Sequence, residues 1–337
     1  MKQDKIRGCL VAGAIGDALG YPVEFMKYKQ IQREFGPEGI QSFDIDYRTK
    51  KAVISDDTQM TLFTAEGILN AERNGGDITE HIYQAYLDWL YTQNERGNHP
   101  NVCKLLERKE LYARRAPGIT CLNALESGDM GTLTHSLNNS KGCGGIMRVA
   151  PLGLFSGKID LKEAILLGAR AAAITHSHPL GYIPSGFLSG LVYVLINQEL
   201  SLKDAIEETR VIVNEIFCEN DYINDLDRLV RRAVSYTENE QDDLQNLKNL
   251  GEGWVGEEAL AVALYCALKY EHDFDKAITV SVNHDGDTDS TGAVTGNILG
   301  CIVGYDNISS KWKTMLECED LIVDMADQLF ACRKESL

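Results

Sequence analysis

Along most of the chain, apolar positions recur every three or four residues, the period of an α-helix with one buried face. Ile6, Leu10, Ala14 and Ala18 make one such stripe, and Gly13 and Gly16 within the same segment would let a neighbour approach closely. A second helix is expected over 57–73. Ile78, Ile82, Tyr86 and Leu90 repeat every four residues in a third, with Asp77 as its N-cap. Asp160 followed by Glu163 resembles a capping box before a helix over 164–174, and Ser201 with Asp204 does the same before 205–217. Helices over 257–270, 274–282 and 321–332 complete the set. Strand-like alternation is confined to 41–45 and 52–54, so the class is mainly α. Turn signals crowd into 94–121 and 127–153, and loops of that length in a compact domain are usually functional or disordered. Their apolar and small residues favour function. The polar, acidic stretch 238–249 reads as a solvated loop.

The length of 337 residues allows two domains or one large helical one. With 44% hydrophobic and 25% charged residues, the chain can bury a sizeable core. A formal net charge of -17 argues against a nucleic-acid partner, since phosphate neutralisation needs basic patches. It does not argue against an anionic substrate, because a bound metal can reverse the local sign. The nine Cys are scattered with no CxxC, the usage expected of free thiols in a reducing cytoplasm. The first residues lack an apolar signal core, and no run of about 18 uninterrupted apolar residues occurs, so no membrane span is expected.

Two acidic motifs stand out. Ser55-Asp56-Asp57-Thr58 begins a helical pattern, where Ser and Asp serve as caps, but two adjacent Asp between two hydroxyls exceed what a cap needs. Asp285-Gly286-Asp287-Thr288-Asp289-Ser290 places three carboxylates within five residues, a costly repulsion unless a cation is bound. Carboxylates alternating with hydroxyls are hard ligands for Mg²⁺, Mn²⁺ or Ca²⁺. An EF-hand fails on Ser290 at the turn-Gly position and Gly296 at the Glu position. A phosphatase with an Asp nucleophile would want a preceding buried strand, where the pattern is helical, and 293–302 continues as an apolar helix.

Taken in order, the motifs resemble the ADP-ribosylglycohydrolase family, the DraG-like hydrolases, over nearly the whole chain. The matching segments are Gly13-Ala14-Ile15-Gly16-Asp17-Ala18-Leu19-Gly20 with Glu24, Ser55-Asp56-Asp57-Thr58, Lys141-Gly142-Cys143-Gly144-Gly145-Ile146-Met147-Arg148, Thr175-His176-Ser177-His178-Pro179 and Gly286-Asp287-Thr288-Asp289-Ser290. The resemblance implies an all-α fold class and one domain over 1–337, a compact multi-helix bundle with a binuclear metal site in a central cleft. It implies two Mg²⁺ or Mn²⁺ ions held by Ser55, Asp56, Asp57, Asp287, Asp289 and Ser290. Many relatives carry Thr where Ser55 and Ser290 stand, and Gly or Ser where Asp285 stands. Asp285 is then an outer carboxylate or simply solvated. The implied reaction cleaves the bond at C1″ of ADP-ribose through an oxocarbenium-like state, releasing ADP-ribose from a protein side chain (arginine linkage favoured) or a small conjugate. Glu24, Asp57 and Asp287 are the catalytic candidates, with Glu24 moving a proton or orienting the attacking group.

Gly142, Cys143, Gly144 and Gly145 can form a concave turn of backbone N–H groups, a nest for a diphosphate or an ordinary Gly-rich turn. Met147, His176 and Tyr182 are further candidates for substrate contact, and Trp254 and Tyr182 for stacking on adenine or for the core. His178 reads as a helix cap. Arg114, Arg115 and Arg148 are open between phosphate contacts and structural pairs. A Cys143–His nucleophile with His176 or His178 lacks a third orienting group. Another dinuclear metallohydrolase acting on a nucleotide-like or phosphorylated substrate, or a non-catalytic ADP-ribose-binding relative, are the other readings; intact Asp56, Asp57, Asp287 and Asp289 disfavour the last. A monomer is the default expectation.

Overall fold

The computed structural model describes residues 2–95, 99–155 and 159–333, so 96–98 of the expected loop 94–121 lie outside the described residues. Among these residues there are 16 α-helices, a few 3₁₀ turns and no strand. Only two isolated bridges occur among them, Ala52 with Leu316 and Gly142 with Val255. The second ties the Gly-rich loop to the segment before helix Gly256–Lys269.

At the centre, helix Lys2–Gly20 lies antiparallel to helix Thr288–Val303 along a seam of glycines. Gly8 faces Gly300, Gly16 faces Gly292, and Gly20 faces Thr288. A Cβ added at Gly16 would sit 2.0 Å from the Gly292 carbonyl oxygen, and one at Gly296 would sit 2.0 Å from that of Ala12. Backbone against backbone has no side chain to move aside, so only glycine permits this approach. The seam fixes the C-terminal end of the first helix against the N-terminal end of the other. Thr288 Oγ1 donates to the Gly20 carbonyl at 2.8 Å to close that end. Helix Asp56–Asn74 buries nearly its whole length within the bundle, against the neighbouring helix Ile78–Asn94.

The caps expected at Asp77, Asp160 and Ser201 form: each side chain accepts the N–H three residues on. Two long helices escape the periodicity reading. Pro179–Asn197 is apolar on every face and carries Pro184 inside it, so it shows no stripe. It is the one described helix long and apolar enough to cross a membrane, yet 89% of its apolar window is buried among the other helices. Ile223–Tyr236 does bury Ile223, Leu226, Val230 and Ala233 at helical spacing, hidden among five charged residues. The expected solvated loop 238–249 is corrected: it contains most of helix Asp243–Leu250, whose Asn246, Leu247 and Leu250 are buried. The expected strands at 41–45 and 52–54 are absent apart from the Ala52 bridge.

Candidate active site

Both acidic motifs lie at helix N-termini, where unpaired N–H groups and the helix dipole favour negative charge. Ser55 is the N-cap of helix Asp56–Asn74, and its Oγ accepts the Asp57 N–H at 3.2 Å. Asp287 is the N-cap of helix Thr288–Val303 and accepts the Ser290 N–H at 3.2 Å. The two ends meet where the Ser290 hydroxyl donates to Asp57 Oδ2 at 2.9 Å. Asp56 is pinned by the Gly118 N–H at 3.1 Å. Glu24 follows the first helix across the glycine seam and comes to Asp287 and Asp289: one oxygen of each lies within 4.8 Å of the others.

Five carboxylates, Glu24, Asp56, Asp57, Asp287 and Asp289, are therefore buried in one cleft of about 430 Å³, a size suited to a small-molecule ligand. No Lys or Arg lines it among the described residues. Burial, then the charge of Asp287 and Asp56, pushes Glu24 up to about 9. Burial pushes Asp56 up to about 8 against the Gly118 hydrogen bond. Asp57 is driven well above the usual carboxylate range by burial and by the charges of Asp56, Asp17 and Asp287, and Asp289 by burial and by the charges of Asp57 and Asp287. Glu24 Oε2 is buried with no hydrogen-bond partner. Five oxygen-rich acids, an unpartnered carboxylate oxygen and no cationic side chain fit divalent hard cations.

The expected site residues divide. Glu24, Asp56, Asp57, Asp287, Asp289, Ser290, Gly142, Cys143, Gly144, Met147 and His176 all line the cleft. Ser55 lies behind the wall, fully buried, with its hydroxyl oxygen engaged in the cap. Gly145 packs away from the cleft, where a Cβ would meet the Gly181 carbonyl at 2.7 Å. Tyr182 is also outside the lining, its ring 6.3 Å from that of Phe217. The expected nest is smaller than the sequence implied, because the Gly142 N–H already bonds Ser140 Oγ and the Cys143 N–H bonds the Trp254 carbonyl.

The remaining ambiguities resolve by contact. Cys143 Sγ donates to Asp287 Oδ2 at 2.7 Å, and burial beside Asp287 and Asp57 holds it as a thiol, which disposes of the Cys–His nucleophile. His176 stays neutral, lowered to about 3 by burial and by Arg148, with Nδ1 against Thr175 Oγ1 at 2.8 Å. His178 caps helix Pro179–Asn197 by accepting the Leu180 N–H. Arg148 is fully buried away from the cleft, donating to Thr175 Oγ1 and the Ala171 carbonyl with its guanidinium over Tyr86. Arg115 pairs with Glu317 and donates to the Ile54 carbonyl, and Arg114 donates to the Gln93 carbonyl.

Two features escaped the sequence reading. Asp17, buried in the first helix, accepts the N–H groups of Ser55 and Thr58 and the Thr58 hydroxyl, and so orients the whole first motif. Burial raises it to about 6 against those bonds. It belonged to the opening motif, but nothing local says which distant donors it meets. Phe25 and Trp254 stack at the cleft mouth with ring centroids 5.8 Å apart; Phe25 gave no periodic or motif signal.

The family profile described as ADP-ribosylglycohydrolase matches residues 1–336. An ADP-ribosylarginine hydrolase, Tri1, of Serratia proteamaculans is 26% identical over 97% of this chain and 79% of its own. The ADP-ribosyl-[dinitrogen reductase] glycohydrolase of Rhodospirillum rubrum is 25% identical over 93% of this chain and 90% of its own. A solved ADP-ribosylglycohydrolase-related protein complex superposes with a TM-score of 0.71 at 23% identity, covering 99% of both chains, which shows the shared fold. With the profile spanning the chain and the acidic cleft built from both of its ends, this protein belongs to the ADP-ribosylglycohydrolase family, hydrolases of glycosidic bonds.

Proposed function

We propose that the protein hydrolyses the glycosidic bond at C1″ of ADP-ribose in an ADP-ribosylated protein side chain or related conjugate, using two Mg²⁺ or Mn²⁺ ions. The observation that carries this reading is the convergence of five buried carboxylates, one with an unpartnered oxygen, in a cleft without cationic side chains. Asp56 and Asp57 from one helix end and Asp287, Asp289 and Ser290 from the other would hold the ions. Glu24, within 4.8 Å of Asp287 and Asp289, would join them in holding an ion. Bound there, the cations supply Lewis-acid charge that anchors the distal ribose hydroxyls.

The chain's own residues do the rest. Gly142, Gly144, Met147 and His176 also wall the cleft. Gly118, Ile119 and Thr120, where the long loop runs into helix Ile119–Glu126, would border the leaving group. In the reaction the C1″ bond to the leaving atom breaks, a water oxygen bonds C1″, and Glu24 carries the water's proton to the leaving group. An arginine linkage suits this cleft, because a guanidinium leaving group is favoured among carboxylates and is the linkage in the name of the Serratia relative. Retention of every carboxylate argues against a non-catalytic ADP-ribose binder.

The test is release of ADP-ribose, followed by chromatography, from arginine-, serine-, nucleobase- and ester-linked conjugates with Mg²⁺, Mn²⁺ or EDTA. The arginine conjugate is expected to react fastest, and only with metal. Absence of release from every conjugate would overturn the reading.

A further inference from the structure

Asp285 opens the second acidic motif, yet it does not line the cleft and is exposed. Its Oδ1 accepts the backbone N–H of Tyr28 at 2.7 Å. Tyr28 is the first residue of helix Tyr28–Phe35, and the N-cap of that helix, Lys27, provides no side-chain acceptor. Asp285 thus supplies from the far end of the chain the capping carboxylate that the local sequence lacks.

The location of this cap gives it a second consequence. Only the four residues from Glu24 to Lys27 separate the 3₁₀ turn Tyr21–Val23 from Tyr28. The leading end of this turn is fixed by Thr288 Oγ1 on the Gly20 carbonyl, and the trailing end by Asp285 on Tyr28. Two further contacts hold the stretch to the loop before helix Gly256–Lys269: Phe25 stacks on Trp254, and Lys27 Nζ pairs with Glu252 at 3.1 Å. Both are exposed, and an exposed ion pair contributes little. The Asp285 bond is also at the surface, but it is short and holds the backbone itself, through an N–H that the helix leaves unpaired.

The same loop also sets Asp287. The Glu252 carbonyl accepts the Asp287 N–H at 2.8 Å. Gly286 has φ +135°, and a Cβ there would lie 1.9 Å from that carbonyl oxygen. Asp285 and Asp287 are therefore held in one rigid turn. One grips the segment carrying Glu24, and the other faces the Glu24 carboxylate.

We propose that Asp285 is a positioning residue that latches the Glu24 turn so that the Glu24 carboxylate stays in reach of Asp287 and Asp289. This rests on Glu24 belonging to the metal-binding cluster described above. The latch acts through the acceptor oxygen, so its geometry rather than its charge carries the effect.

The experiment compares Asp285→Ala and Asp285→Asn in the full chain with the parent. Asn keeps an oxygen for the Tyr28 N–H and removes the charge. Three quantities are read: hydrogen exchange of the amides of residues 24–28 in EDTA, the Mn²⁺ dissociation constant by titration, and kcat and KM for ADP-ribose release. Asp285→Ala is expected to speed exchange across the segment, weaken Mn²⁺ about 10-fold and lower kcat by a similar factor with KM nearly unchanged. Asp285→Asn is expected to restore most of each. The proposal fails if Asp285→Ala leaves exchange and Mn²⁺ affinity unaltered, or if Asn behaves as Ala does. Exchange and metal affinity need no turnover, so a parent protein inactive on every conjugate would defeat the activity reading and leave the latch decided on its own evidence.

Discussion

Asp57 and Ser290 are 233 residues apart in sequence and 2.9 Å apart in space. Each alone has an ordinary explanation as a residue of a helix's first turn. Together with Asp56, Asp287, Asp289 and Glu24 they make a charge cluster that burial makes unfavourable without a cation. Asp289→Ala is expected to lower metal-dependent hydrolysis by more than about 100-fold, since even outer partners of metal ligands cost 10–100-fold; a steady-state assay at saturating Mn²⁺ reads this. Cys143 gives the opposite expectation. Its thiol is a hydrogen-bond donor to Asp287, so Cys143→Ser is expected to keep turnover within about 10-fold, where loss of a covalent nucleophile costs orders of magnitude more. At this scale the ligand types were legible in the sequence. Partners were not: Asp17 gripping Ser55 and Thr58, and Asp285 capping Tyr28, are long-range hydrogen bonds that no local pattern encodes.

The elements that matter most are the two glycine-seamed helices. Gly13 and Gly16 announce a close neighbour, but the sequence does not say that the neighbour is Thr288–Val303. Their antiparallel register puts Glu24 beside Asp287 and Asp289. Gly16→Ala is expected to destabilise the fold by about 3 kcal/mol, because the new methyl would meet the Gly292 backbone. Denaturant unfolding measures it, and a variant within experimental error of the parent would contradict the seam. Helices with one apolar face, such as Phe274–Val282, were readable to the residue. Pro179–Asn197 was not, because it is buried all round and periodicity reports an asymmetry that it lacks; Ile223–Tyr236 and Asp243–Leu250 each bury one face, but their few apolar residues stand among polar and charged ones.

For the whole molecule, the charge cluster links folding, protons and metal. Asp17, Asp56 and Glu24 are raised to about 6, 8 and 9 in the metal-free protein. Between the ordinary carboxylate range near pH 4 and those values, the folded chain keeps protons that the unfolded chain has released. Their contribution to stability is therefore complete below about pH 4 and is lost as pH rises through 6, 8 and 9. Metal binding requires the carboxylates ionised, so its stabilisation grows in the same direction. The melting temperature is expected to rise more on adding Mg²⁺ at pH 9 than at pH 6; an equal rise at both would count against the cluster as the binding site. The family order of the motifs made the all-α class and both halves of the site legible, and Trp254 and the loop 94–121 were among the expected cleft walls, while Phe25 at the cleft mouth depended on a path that only the fold determines.

The most direct single measurement is the rate of ADP-ribose release from an arginine-ADP-ribosylated protein as metal-free enzyme is titrated with Mn²⁺. The account predicts no release in EDTA and a rate that climbs to its plateau as two ions bind per chain. Undiminished release in EDTA would contradict it.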